Sequence, residues 1–181
     1  HDLAQLISDI ESRYLIEAVI PGNESGVELA HQLAAKLNLK RNEDELAFAR
    51  RDKYEMVEAL KRGKLNAVEH FKTNDLALAK QWILQHGKWP VVIKPLDSVC
   101  SDHVYICQNM KQAEIAFNTI LEAKTLFNKS SKEVLLQAYL PGEEYVVNMV
   151  SCNGHHFITE IRMYHKQNLN DKHIYDYEEL I

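Results

Sequence analysis

The stretch that decides the fold is Val134-Leu-Leu-Gln-Ala-Tyr-Leu-Pro-Gly-Glu-Glu-Tyr-Val-Val147. Its apolar first half predicts a strand, Pro141-Gly142 predicts a turn, and the residues from Tyr145 onward predict a second strand. A third strand is predicted over residues 156–163, because Asn153-Gly154 is a strong short-range signal for a two-residue hairpin. This part of the chain is therefore predicted to form consecutive antiparallel strands.

Strands and helices alternate upstream of this stretch. Residues 90–95 are rich in β-branched side chains, and residues 104–107 predict the hairpin partner of that strand. Helical spacing of apolar residues predicts two helices before this hairpin and one after it, and a weak alternation over residues 66–72 predicts a further strand. The order β-α-β-β-α-β-β-β is typical of an α+β fold with mostly antiparallel strands.

The beginning of the chain has a different pattern. Leu15 to Ile20 is an apolar run closed by Pro21-Gly22, which predicts a buried strand and a turn. Apolar residues over 27–37 then follow helical spacing, behind Asn23 as a good N-cap residue. This strand–loop–helix unit is typical of the end of an α/β domain.

Composition excludes several function classes. The 181 residues include 21 Lys and Arg against 26 Asp and Glu, a formal net charge of -5, whereas a general nucleic-acid binder needs a basic face. No apolar run is long enough to span a membrane. The three cysteines, Cys100, Cys107 and Cys152, include no C-x-x-C pair and favour a reducing compartment. We therefore expect a cytoplasmic protein that binds neither nucleic acid nor membrane.

Lys94 is the first candidate for chemistry, since it lies inside an apolar strand. Such a lysine can point inward to a ligand phosphate, or it can extend to water at the strand end, and position alone leaves both open. The following loop, residues 97–103, offers the hydroxyls of Ser98 and Ser101 and its backbone N–H groups to phosphate oxygens. It contains no glycine, so an ordinary hairpin loop is the alternative.

The connector after the strand at 134–140 is the second candidate. The backbone N–H and C=O groups of such a connector can bind the edge of an adenine ring. Glu144, seven residues after Gln137, could then accept hydrogen bonds from ribose hydroxyls. Taken alone, the pattern is more typical of a strand, a turn and an edge strand on which Glu143 and Glu144 are solvated.

The nine histidines do not form a metal motif by their spacing. His155 and His156 are adjacent, so that in a strand their rings point to opposite faces. His165 and His173 are too far apart for a compact ligand motif. Cys100 could act as a nucleophile only with a base beside it, and we interpret it as a small loop residue.

Taken in order, these segments resemble the ATP-grasp superfamily, and most closely its carboxylate–amine ligase branch. The resemblance rests on five segments: residues 21–30, 51–53, 89–95, 137–144 and 153–166. The first is similar to the last βα unit of the domain that usually precedes ATP-grasp in this branch. Each motif is weak by itself, whereas five in the right order and spacing are fairly specific.

The resemblance implies how ATP would be bound. Lys53 and Lys94 would contact the phosphates, the backbone of Ala138 and Leu140 would hold the adenine ring, and Glu144 would bind the ribose. The full set of implied ATP-binding residues is Lys53, Lys94, Ser98, Ser101, Gln137, Ala138, Leu140 and Glu144.

The sequence departs from the family pattern in three respects. Cys100 and His103 stand where the family often has glycine, which predicts a stiffer phosphate loop. Gln137 replaces the usual hinge glutamate but can still accept a hydrogen bond. The family holds Mg²⁺ with a late glutamate and an E-x-N pair, and neither Glu-x-Asn nor Asp-x-Asn occurs in this chain. We therefore expect no metal ligand in this chain, Mg²⁺ ligands downstream of it, a fragment of a longer protein, and no ligation by these residues alone.

The implied function is ATP-dependent ligation of a small-molecule carboxylate to a small-molecule amine through an acyl-phosphate. One alternative is a module that binds ATP for regulation without catalysis. Another is an ATP-grasp ligase of the carboxylase or purine-synthesis branch, against which the resemblance of residues 153–166 argues. An exposed apolar edge would also allow a homo-oligomer.

The resemblance further implies four parts of the chain. Residues 1–42 would be the end of an α/β domain, residues 43–87 a small first lobe of helices and a strand, and residues 88–165 a second lobe with one helix and the ATP-binding antiparallel sheet. Residues 166–181 would begin a third sub-domain.

Overall fold

The structure is a computed structural model that describes residues 3–98, 102–124, 130–169 and 172–181. Its helices are α1 (Leu3–Glu11), α2 (Val27–Lys36), α3 (Lys53–Arg62), α4 (Leu76–His86) and α5 (Met110–Glu122). Its strands are β1 (His70–Thr73), β2 (Val91–Pro95), β3 (Tyr105–Cys107), β4 (Val134–Ala138), β5 (Glu144–Cys152), β6 (His155–Leu169) and β7 (Lys172–Leu180). The α+β class predicted from the order of elements is confirmed.

A four-stranded sheet in the order β1-β4-β2-β3 forms the centre of the molecule, and all its pairs are antiparallel. The burial of β2 alternates: Val91, Ile93 and Pro95 are buried, whereas Val92 and Lys94 are only partly buried. Since successive side chains of a strand point to opposite faces, the first three residues face the core and the other two face away from it.

The core lies between this sheet and the helices α4 and α5. Phe117 and Ile120 of α5 and Ile83 of α4 pack against Val91 and Ile93 in one cluster of buried side chains. Side-chain caps begin both helices, since Asp75 accepts from the Ala77 N–H at 2.7 Å and Asn109 accepts from the Gln112 N–H at 3.0 Å. The packed face therefore fixes β2, and with it the direction in which Lys94 points.

A second sheet has the order β5-β6-β7. The turn between β5 and β6 has positive φ at both Asn153 (50°) and Gly154 (77°), which is the conformation that the Asn-Gly hairpin signal predicts. The register of β6 with β7 pairs His165 with Tyr177 but Lys166 with Tyr175, so one extra residue, Asp176, is inserted in β7. This is a β-bulge, and it moves the residues on its two sides to opposite faces of the sheet.

Two expectations from the sequence are wrong. Leu15 and Ile20 are 89% and 83% exposed, and residues 15–20 form no strand, because in the described chain no neighbouring strand or helix covers this apolar run. Residues 88–165 also do not form one sheet: β5 and β6 pair with β7, while β1 joins the central sheet by pairing with β4. The boundaries of the four expected parts stay predictions. In the described part of the chain, no helix is both long and apolar enough to cross a membrane.

Candidate functional site

A pocket of about 420 Å³ lies between the outer face of the central sheet and the beginning of the second sheet. Its size falls in the range of small-molecule sites. Residues from the sheet, from the start of α3 and from all three strands of the second sheet line it: Lys53, Val92, Lys94, Ser98, Val104, Ile106, Gln137, Ala138, Tyr139, Leu140, Glu144, Lys166 and Tyr175.

Lys94 lies on the floor of this pocket, beside Val92 on the same face of β2. Burial, together with the charge of Lys53, lowers the pKa of Lys94 from 10.5 to about 8, and the charge of Glu144 opposes this only in part. Among the residues that the structure describes, none forms an ion pair with Lys94. A buried cation in this state is costly, and an anion in the pocket would relieve the cost.

Lys53 approaches the pocket from the first residue of α3. The helix begins there because the Asp52 side chain accepts from the backbone N–H groups of Tyr54 and Glu55. The Lys53 Nζ donates to the carbonyl oxygen of Ser98 at 2.7 Å. Burial is the main cause that lowers its pKa, against the opposing charge of Asp97. Two lysines thus give one end of the pocket a positive charge.

Arg51 ties the loop after β2 to the N-terminal part of the chain. Its guanidinium is largely buried and forms ion pairs with Asp97 and with Glu24. The backbone N–H of Lys53 also donates to the Leu96 carbonyl at 3.0 Å. These contacts hold the start of α3 against the loop and place Lys53 next to Ser98.

The connector between the sheets also lines the pocket, and its first residue, Gln137, pairs with Val92 of β2. The Ala138 N–H donates to the Glu69 carbonyl at 2.9 Å, so Ala138 can offer a ligand only its carbonyl oxygen. Leu140 lies beyond the end of β4 and is 70% exposed. The connector thus presents backbone groups next to Gln137, which is the arrangement expected for binding the edge of a flat polar ring.

Glu144 is the first residue of β5 and is held by two partners that the sequence did not indicate. Lys166 donates to its Oε2, and the Tyr175 hydroxyl donates to its Oε1 at 3.2 Å. Burial pulls the pKa of Lys166 down, but the bonds to Glu144 and the contact with Tyr175 outweigh it and raise that pKa above its usual value. The Lys166 Nζ also lies 4.6 Å from the centre of the Tyr175 ring.

The loop between β2 and β3 is described only in part. Ser98 is buried and lines the pocket, whereas Ser101 and Cys100 lie outside the described residues. His103 has a φ of 54°, in the left-handed region that favours glycine. This backbone conformation fits the position, because the resemblance expected glycine there.

Seven of the eight residues named from the sequence line this one pocket, namely Lys53, Lys94, Ser98, Gln137, Ala138, Leu140 and Glu144. The roles assigned to them stay predictions. Val92 could have been found, since it shares a face of β2 with Lys94, but Lys166 and Tyr175 depend on strand pairings that local patterns do not give. Among the described residues, no group of three or more His, Cys, Asp or Glu could hold a metal ion.

Known proteins resemble this chain both in sequence and in structure. The chain is 38% identical over 179 residues to dapdiamide A synthase of Enterobacter agglomerans, a match that covers 97% of this chain and 42% of that protein. The L-amino acid ligase of Bacillus licheniformis superposes with a TM-score of 0.67 at 16% identity, over 88% of this chain and 35% of that one.

A third similar structure is the biotin carboxylase domain of the 2-oxoglutarate carboxylase of Hydrogenobacter thermophilus, solved with MgADP, ADP and bicarbonate. Its TM-score is 0.68 at 20% identity, over 93% of this chain and 39% of that one. The chain thus spans less than half the length of each of these proteins. The model of the ATP-grasp domain matches residues 87–178, and the chain therefore belongs to the ATP-grasp family.

Proposed function

We propose that this chain forms the nucleotide site of an ATP-dependent carboxylate–amine ligase. The observation that carries the proposal is the pocket itself: its lining brings Lys53 and Lys94 together with the connector 137–140 and Glu144. A nucleoside triphosphate has the matching set of groups, with phosphates for the lysines, ribose hydroxyls for the carboxylate and a base for the connector.

The state of the two lysines supports a polyphosphate ligand. Both are partly buried, and burial lowers the pKa of each. Phosphate oxygens would restore the charged form of Lys94 and would use the lysines as point charges. As negative charge shifts onto the transferred phosphoryl group, the same lysines would stabilise it without moving, which is the main way that enzymes catalyse phosphoryl transfer.

Mg²⁺ usually accompanies ATP at such sites, and MgADP is bound in the similar carboxylase domain. The described residues contain no cluster that could hold this ion, so we assign it no ligand and no step here. In the proposal, this chain contributes cationic contacts to the phosphates rather than metal ligands.

Sequence similarity favours the amino-acid ligase branch over the carboxylases. Dapdiamide A synthase is 38% identical along nearly the whole chain, whereas the carboxylase domain is 20% identical and supports only a shared fold. The proposed reaction makes an acyl-phosphate from a small carboxylate and ATP, and an amine then displaces phosphate to form an amide. The alternative function is that of a regulatory module, which would bind ATP without turnover.

The direct test measures ADP and phosphate release by the full-length protein with ATP, Mg²⁺ and pairs of amino acids, with mass spectrometry of the amide product. We expect ADP and amide in equal amounts for at least one pair. ATP binding without ADP release for any pair would support the regulatory module. Absence of ATP binding would overturn the assignment of the pocket itself.

ATP affinity should fall as the pH rises above about 8. Lys94 loses its proton near pH 8 instead of 10.5, and a bound phosphate favours the protonated form. Binding above pH 8 must therefore take up a proton, which weakens affinity by up to about tenfold per pH unit. The free energy of unfolding of the free protein should change in the opposite direction and rise between pH 8 and 10.5. In this range the unfolded chain keeps the Lys94 proton that the folded chain has lost.

Isothermal titration from pH 7 to 9.5 in buffers of different ionisation enthalpy measures this proton uptake. Lys94→Arg is the matched variant, because arginine keeps its charge over this whole pH range. The variant should still bind ATP, and its affinity should no longer fall as the pH rises. If the affinity of Lys94→Arg for ATP fell with pH as steeply as that of the unaltered protein, a group other than Lys94 would take up the proton.

A further inference from the structure

The carboxylate of Glu144 is held by two side chains of the second sheet. Each of its oxygens receives one donor, the Lys166 ammonium on Oε2 and the Tyr175 hydroxyl on Oε1. An ionised carboxylate has about four acceptor positions, so both oxygens can accept a further bond. Two adjacent hydroxyls of a ligand could therefore bind without displacing either partner.

The geometry of the sheet brings these three side chains to one face. Glu144 pairs with Tyr164 across β5 and β6, and Lys166 is two residues further along β6, so it lies on the same face. Tyr175 reaches that face because of the bulge at Asp176. Without the bulge, Tyr175 would share a face with Tyr177, which instead stacks on His165 at 4.2 Å.

A bulge is a costly irregularity in a strand pair, and bulges commonly re-aim side chains beside binding sites. Here its effect is to place the Tyr175 ring against Tyr164, at 4.7 Å between ring centres, and its hydroxyl against Glu144. The alternating pattern of the strand would otherwise leave Glu144 with Lys166 alone. The bulge in β7 and the hydrogen bonds of Lys166 and Tyr175 thus all act on the Glu144 carboxylate.

We propose that Lys166 and Tyr175 are positioning residues of the nucleotide site, which hold the Glu144 carboxylate in the conformation that recognises the two hydroxyls of the ribose. This inference rests on the proposed function. In this proposal, the preference for ribonucleotides depends on side chains from three strands: the carboxylate from β5, the cation from β6 and the hydroxyl from β7. A free glutamate at a strand end would have to lose its rotamer freedom when ligand binds, and the two partners remove that cost in advance.

The test is the ratio of affinities for ATP and 2′,3′-dideoxy-ATP, measured by titration of the full-length protein. Hydrogen bonds to a charged group suggest a ratio of roughly 10 to 150 for the unaltered protein. We expect Lys166→Met to lower this ratio by about tenfold and Tyr175→Phe by a few-fold. Lys166→Arg, which keeps the charge and can still donate, should restore most of it.

A double-mutant cycle separates positioning from independent binding. If Lys166 acts through Glu144, Lys166→Met should change the ratio little in a Glu144→Gln background. The matched control is Lys80→Met, because Lys80 also pairs with a glutamate, Glu114 at 2.9 Å, and neither residue lines the pocket. Circular dichroism and thermal unfolding check that each variant is folded, and Tyr175→Phe tests the same idea with a smaller change.

The outcomes are distinguishable. No ATP binding by the unaltered protein overturns the proposed function. ATP binding with an unchanged ratio in Lys166→Met and Tyr175→Phe overturns only this inference. An equal loss of affinity for both nucleotides in Lys166→Met also overturns it, since the lysine would then contact the phosphates rather than orient Glu144.

Discussion

Replacing Lys94 with alanine should lower kcat/KM for ATP-dependent turnover of the full-length protein at least thirtyfold. Removing one partner of a buried charge contact costs about 2–5 kcal/mol, and a cost of 2 kcal/mol already corresponds to roughly thirtyfold. The physical reason is the position of Lys94 on the floor of the pocket, where burial makes its charge costly until a phosphate arrives. Steady-state ADP release with varied ATP measures the effect.

Lys72→Ala is the matched control for this experiment. Lys72 and Lys94 lie on the two strands that flank β4, and both pair with Leu135. Lys72 is directed elsewhere: its Nζ lies 3.4 Å from Glu133 and 4.3 Å from the centre of the Tyr54 ring. We expect nearly unchanged turnover in that variant. Equal activity in Lys94→Ala and the unaltered protein would exclude a role for Lys94 in phosphate binding.

Phe117→Ala should lower the free energy of unfolding by about 3–5 kcal/mol, the range for removing a buried aromatic ring. Phe117 is 1% exposed and belongs to the core cluster that contains Ile93, the residue before Lys94 on β2. The cavity left behind removes contacts from the face of the sheet that fixes the direction of Lys94. Denaturant unfolding followed by circular dichroism measures the change.

Ile115 provides the comparison within the same helix. It is 59% exposed on the opposite side of α5, so Ile115→Ala should cost less than about 1 kcal/mol. If the two substitutions had equal effects, the assignment of α5 to the core by its buried face would be wrong.

Local patterns predicted most of the helices and strands. The β-branched run of β2, the positions of α3, α4 and α5, and the turn at Asn153-Gly154 all follow from periodicity and turn chemistry. These signals depend on residues close together in the chain. The same reasoning failed at Leu15 to Ile20, because an apolar run forms a strand only where a partner strand pairs with it, and no described strand pairs with this run.

Strand β7 and its contribution to the pocket could not be predicted. Tyr175 and Tyr177 are two residues apart, so simple alternation would put both on one face, but the extra residue Asp176 separates them. The pairing of β1 with β4 joins segments more than sixty residues apart, and no local pattern specifies it. The resemblance to the family identified the candidate residues of the pocket. Lys166 and Tyr175 could not be identified in this way, because their positions at the pocket depend on the pairing of whole strands.

The short segment 141–143, between the connector and β5, has an energetic consequence. Glu144 follows immediately after Pro141, Gly142 and Glu143, and Gly142 has a φ of 137° with open space around its Cα. A ligand that touches both sheets must restrict this short segment, and the entropy lost there is subtracted from the free energy of its contacts. Substitutions that stiffen or loosen the segment 141–143 can therefore tune affinity through residues that do not line the pocket. Ligand affinity would then be set partly by the flexibility of three residues outside the pocket, and could be adjusted there without altering any group that recognises the nucleotide.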